Sequence, residues 1–120
     1  MGFTILYKLS IKETDGDLGN IGVYEFPISG ASSYSPAYRQ TVDMSIADAT
    51  SLDTVAQGAI TTISGMVLLS SQNLTLDLDG ESMTLVANLP HVSFAHSITA
   101  LKVSNASGAV ATLKGVIYGD

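Results

Sequence analysis

His91 and His96 are the two histidines of the chain, the residue type suited to proton transfer near neutral pH and to binding borderline metals. Five positions apart, they point to opposite faces of an extended strand. A shared metal is therefore not expected, and a packed or solvated role is. Asp77-Leu78-Asp79-Gly80-Glu81 groups three carboxylates around a glycine, the raw material of a calcium loop, where a hard cation collects several oxygens. The spacing departs from that loop and suits a tight turn instead. Glu13, Asp15 and Asp17 around Gly16 read the same way, as a solvated turn. The chain has no cysteine, which removes thiolate nucleophiles, thiolate metal sites and disulfides. It also lacks a Gly-x-Ser-x-Gly elbow, a phosphate-binding Gly-Lys loop and a dinucleotide fingerprint. Eleven Asp and Glu residues offer many pairings along the sequence, but that spacing does not report separation in space. No catalytic, cofactor-binding or metal-binding residue is assigned, and a small hydrolase ranks last among the functional readings.

Composition points to surfaces rather than to a reaction centre. Only 13% of the residues are charged and 46% are hydrophobic, against about 25% charged in an ordinary soluble domain. Much of the exterior must then be uncharged, or covered by something else. The longest strictly apolar run is Met66-Val67-Leu68-Leu69, far short of the roughly 18 residues that cross a bilayer as a helix. Protein neighbours, and no membrane, are the expected cover. The net charge is −6, and Lys8, Lys12, Arg39, Lys102 and Lys114 are scattered. They form no basic stripe for phosphates, so direct nucleic-acid binding is not expected. The first residues, Met1-Gly2-Phe3-Thr4-Ile5-Leu6, lack the features of a secretory signal. The sequons at Asn73 and Asn105 are accordingly taken as coincidence.

Positioning such surfaces falls to β-strands. A length of 120 residues fits one domain with its own core. Phe3 to Lys12 alternates with period two and predicts a half-buried strand. From residue 13 to 38, Gly, Pro, Asp and Ser break the pattern. This stretch reads as a long loop with a short strand near Ile21 to Phe26, or as an arm reaching a neighbouring subunit. Arg39 to Ile46 resumes the alternation, and Ala47 to Gly58 reads as a short helix capped by Asp48 or Ser51, or as a loop. The strongest local signal is Asp79-Gly80 between two alternating runs, the dipeptide favoured in type I′ turns. It places Leu76 opposite Met83 and Leu74 opposite Leu85 on one face, with Thr75 opposite Thr84 and Asp77 opposite Ser82 on the other. A short strand follows around His91 to Phe94. Ser97 to Ser104 and Ala109 to Tyr118 form a final pair with mixed faces, joined by Asn105-Ala106-Ser107-Gly108. Seven or eight short strands predict an all-β, single-domain β-sandwich or jelly roll over residues 1–120.

Residues 60–120 carry a further pattern: Ser71-Gln72, then Leu74-Thr75-Leu76-Asp77-Leu78-Asp79-Gly80, then Ile98-Thr99-Ala100-Leu101, then Val103-Ser104-Asn105-Ala106-Ser107-Gly108. This half resembles a group of small virion structural proteins of tailed bacteriophages, in which a similar hairpin precedes a similar Ile-Thr-Ala-Leu segment. The resemblance implies a head decoration or cement protein, made in the host cytoplasm and mounted on the outside of the head. A tail or head-tail connector accessory protein is the alternative within that group. It implies major capsid or tail proteins as partners and carries over no catalytic residue.

Low charge fits such a role, because desolvating Lys and Glu at an interface core is costly. A homo-oligomer is expected, with a trimer as one candidate. Tyr7, Tyr24, Phe26, Tyr34 and Tyr38 are the candidate interface anchors, since large amphipathic rings bury area at modest entropic cost. Tyr7 and Phe26 serve equally well as core residues. A carbohydrate-binding module is the contrasting class, weakened by the absence of tryptophan.

Overall fold

The computed structural model describes residues 5–7, 9–15, 19–26, 32–94 and 96–120, with side-chain surroundings from residue 35 onward. Regular structure among the described residues is entirely β, in twelve strands, and the chain divides into two compact units. The first holds β1 (Ile5–Tyr7), β2 (Leu9–Asp15), β3 (Gly19–Phe26) and β4 (Ser32–Tyr34). β1 pairs antiparallel with β4, and β2 with β3. The single strand expected from Phe3 to Lys12 is thus two strands with different partners. The alternation hides the change, because a period of two carries no information about which strand lies alongside. Phe3 and Lys8 lie outside the described residues. The strand expected near Ile21 to Phe26 is β3, and β4 adds a second within what reads as a loop. Gly22 stands opposite Glu13, where the ladder shifts register, so glycine at an irregularity, rather than absence of a strand, breaks the pattern there.

The second unit, Pro36–Asp120, holds β5 (Tyr38–Ile46), β6 (Thr50–Thr54), β7 (Ile63–Ser70), β8 (Leu74–Leu78), β9 (Glu81–Leu85), β10 (His91–Ser93), β11 (Leu101–Asn105) and β12 (Ala111–Gly119). They form two four-stranded antiparallel sheets, ordered β10-β7-β12-β5 and β6-β11-β8-β9. The pairings nest: β5 bonds to β12, β6 to β11, β7 to β10 and β8 to β9. First pairs with last and second with second-last, the order produced when one long hairpin is wrapped into two layers. This is the jelly-roll form of the sandwich. It occupies the residues from Pro36 on, where the sequence predicts one domain across 1–120.

The core between the layers follows from strand alternation. Met66 and Leu68 from β7, Leu74 and Leu76 from β8, Leu101 and Val103 from β11, and Leu113 and Ile117 from β12 are all buried. With Val42, Ile46, Val55, Ile60, Ile63, Leu85, Ile98 and Ala111 they form one cluster, edged by Met44, Leu78 and Met83. Of the residues expected to mix the faces of the last two strands, Leu101 and Val103 point into the core, Val116 is half-buried on the other face of β12, and the exposed Val110 lies outside the strands.

The hairpin of β8 and β9 has the predicted register, with Leu74 opposite Leu85, Thr75 opposite Thr84, Leu76 opposite Met83 and Asp77 opposite Ser82. Asp79 and Gly80 both adopt positive φ, 53° and 97°, as a type I′ turn requires. Two other expectations are corrected. Residues 47–58, read as a short helix or a loop, are a loop interrupted by a strand, β6. Its residues are mostly exposed and Leu52 takes φ 51° beside a register shift, so no burial pattern announces it. β11 and β12 are not partners either: each belongs to a different sheet, and the connection between them crosses the sandwich.

Candidate functional site

That crossing is organised by Asn105, a buried polar residue in an apolar layer. Its Nδ2 donates to the carbonyls of Ile46, Ala47 and Ala109 at 2.9, 3.2 and 2.8 Å, and its Oδ1 accepts from the Ser107 amide at 3.0 Å. Every polar atom of the amide is occupied, which leaves it a structural hub with nothing free for a ligand. Two of the three carboxylates of the 77–81 turn, Asp77 and Asp79, are likewise engaged. Asp77 Oδ1 accepts from the Gly80 amide at 3.0 Å. Asp79 accepts from the amides of Thr99 and Ala100, both at 2.9 Å, and from the Thr99 hydroxyl at 3.0 Å. These bonds, the Thr99 amide foremost, hold the Asp79 carboxyl below its ordinary value of 3.8. The carboxylate pins the hairpin tip to the segment leading into β11, consistent with a turn rather than a calcium loop.

His91 and His96 are closer than an extended strand allows. β10 ends at Ser93, His96 donates its amide to the Ser64 carbonyl at 3.0 Å, and the two rings lie with centroids 6.4 Å apart. The expectation that they face opposite ways therefore fails, because the strand does not continue through both.

An apolar row lies on the outer side of the β10-β7-β12-β5 sheet. Val92, Val67, Val116 and Thr41 stand in register across its four strands, and Leu69, Lys114 and Asp43 form the adjoining row. Leu69 and Val92 are 45% and 46% exposed, while Val67 and Val116 are half-buried. Phe94 lies against Tyr118, ring centroids 6.4 Å apart, at the level where Tyr118 faces Gly65. β7 is the key strand. Its Met66 and Leu68 enter the core, so its alternate residues Val67 and Leu69 point the other way. The Met66–Leu69 run was the available signal, since an uninterrupted apolar strand is one covered on both faces. Further exposed apolar residues are Leu52, Val86, Leu89 and Val110.

The predicted aromatic anchors fall in both units. Tyr38 is exposed on β5, opposite Gly119. Tyr7 and Tyr34 belong to the β1–β4 ladder, and Tyr24 and Phe26 to β3 opposite Ile11 and Leu9. Only the strand positions of these four are described. An open cleft of about 470 Å3 at one end of the roll is lined by Gln72, Asn73, Thr75, Thr84 and Ser107 among others. Its described lining offers amides and hydroxyls and no aromatic ring. No helix among the described residues is long and apolar enough to cross a membrane. Comparison of the chain with protein-family models, with curated proteins and with solved structures finds no match.

Proposed function

We propose that the chain is a non-enzymatic structural subunit of a tailed-phage virion, a decoration protein that bridges neighbouring shell subunits on the outside of the head. The observation that carries this reading is the two-faced strand β7. The sandwich core uses Met66 and Leu68, and the same strand presents Val67 and Leu69 outward beside Val92 and Val116. An apolar row crossing a sheet with few charges is the composition of an interface core, where aliphatic contact is gained with little charge desolvation. Copies of such a face, repeated over a shell, add modest contacts into tight attachment through multivalency. The head location and the phage context rest on the resemblance of residues 60–120. The ladders of the first unit serve in this reading as an arm to an adjoining shell subunit, with Tyr7, Tyr24, Phe26 and Tyr34 among its anchors.

The test is attachment to heads that lack the protein. Wild-type chain is expected to bind them stoichiometrically and raise their resistance to heat, and light scattering of the free chain gives its oligomeric state. Leu69→Lys and Val92→Lys remove exposed apolar contact without touching the core. They should keep the wild-type melting temperature and lose attachment. A chain that ignores heads and binds a glycan, or L69K and V92K variants that attach as wild type does, would overturn the proposal.

A further inference from the structure

β10 is the shortest strand of the sandwich, three residues at the edge of its sheet, bonded to β7 alone. His91 begins it, in register with the core residue Leu68. His96 follows just beyond it, and the two rings face each other at 6.4 Å with their planes tilted by 43°. The Nε2 atoms of both rings are buried and have no hydrogen-bond partner. A neutral imidazole can leave one nitrogen unpaired at moderate cost. A charged imidazolium has two N–H donors, each of which needs an acceptor.

We propose that the His91–His96 pair is a proton-operated release for β10, which holds this sheet edge closed while both rings are neutral and drives it off β7 when they are protonated. Protonation would place an N–H without an acceptor at the buried Nε2 of each ring and set two positive charges side by side. Among the described residues, the neighbouring elements offer little to offset that charge. β7 (Ile63–Ser70) and the 86–90 connection carry no ionisable side chain, and residues 96–100 carry only His96 itself. Lys114 and Tyr118 of β12 stand in register with Leu69 and Gly65, on the outer side of the sheet. The ionisable residue of β9 is Glu81, which is exposed, and the Asp79 carboxylate is already bonded to Thr99 and Ala100. Two imidazoles also supply only half of a tetrahedral metal shell. Among the described residues no third His, Cys, Asp or Glu completes it.

The direction follows from linkage. Burial first, and the neighbouring His96 second, hold His91 below the ordinary imidazole value of 6.5. The unfolded or opened chain therefore binds protons more readily than the closed one. The stabilisation from a neutral His91 is complete above about pH 6.5 and is drawn down as the pH falls below it. Carboxylates act lower, near pH 4, so the interval just below pH 6.5 reports on His91.

The experiment is amide hydrogen exchange on the full chain between pH 7 and 5, corrected for intrinsic exchange, alongside the titration of the imidazole Cε1–H resonances. Amides of β10 and of Met66–Leu68 are expected to lose protection at least tenfold, reversibly, while those of β5 and β11 keep theirs. The double variant His91→Gln with His96→Gln should hold its protection to pH 5. Protection that is constant across the interval, or falls equally in all strands, or falls as much in the double variant, overturns the proposal. Should that variant fail to fold, the resonances decide. A His91 midpoint below 6.5 that coincides with the loss of protection supports the release, and a midpoint at or above 6.5 overturns it.

Discussion

Asn105 shares one side chain among three carbonyls and an amide, from Ile46, Ala47, Ala109 and Ser107. Nothing about its type or neighbours in sequence marks it: Asn-Ala-Ser-Gly reads as turn material, because the groups it satisfies lie near residue 46 as well as beside it. A buried polar group left unpaired costs roughly 1–3 kcal/mol. Asn105→Ala is therefore expected to lower stability by about 3 kcal/mol in chemical denaturation. Asn105→Asp should be worse despite its shape, since it turns the donor that faces three carbonyls into a charged acceptor. If Asn105→Asp equals wild type, the hub assignment is wrong. Two glycines make a second contrast. Gly80 has φ 97° with open space where a Cβ would sit, whereas Gly115 has φ 148° and a Cβ there would run into the Val67 carbonyl. Gly80→Ala should cost only the left-handed backbone penalty, about 1–2 kcal/mol. Gly115→Ala adds a backbone overlap that β7 cannot relieve without parting from β12. A loss of at least about 3 kcal/mol is expected, and with it a fall in melting temperature of roughly 12 °C or more.

Strands were legible in the sequence where their signals were local. β8 and β9 could be read down to the register because Asp79-Gly80 fixes the turn and Leu74, Leu76, Met83 and Leu85 fix the face, two independent cues that agree. β6 had neither cue: it is a short edge strand, exposed along most of its length and bent at Leu52, so only its bonds to β11 define it. The partners of β11 and β12 were hidden for a different reason. A jelly roll pairs first with last, and no nearby residue records a partner sixty positions away. Asp79 joins the two levels, serving its own turn and also binding Thr99 and Ala100 twenty residues on. Because these bonds lower its pKa from 3.8, the stabilisation they provide is complete above that value and is lost as the pH falls through the lower folded value. Asp79→Asn keeps a residue tolerant of positive φ but presents an N–H to donors. Its melting temperature should lie below wild type at pH 6, and the gap should narrow as the pH drops below 3.8. A gap that is constant down to pH 2 would show that the carboxylate's charge plays no part.

At the scale of the molecule, the question is which part of the chain folds on its own account. The buried cluster runs from Val42 to Ile117, and all four nested strand pairs close within Pro36–Asp120. The size is adequate too, since domains of this length support a core without cross-links. Residues 36–120 expressed alone are therefore expected to unfold in a single cooperative transition, with a melting temperature within a few degrees of the full chain. The first unit is different in kind: β1 with β4 and β2 with β3 are two-stranded ladders, and two strands without a third or a packed layer are marginal in water. Residues 1–35 alone should show no cooperative transition by circular dichroism. A molten 36–120 fragment would mean that the sandwich needs the preceding residues for its core. A well-folded one would show that the buried faces of the two sheets, which hold the cluster from Val42 to Ile117, suffice for a cooperative fold without the β1–β4 and β2–β3 ladders.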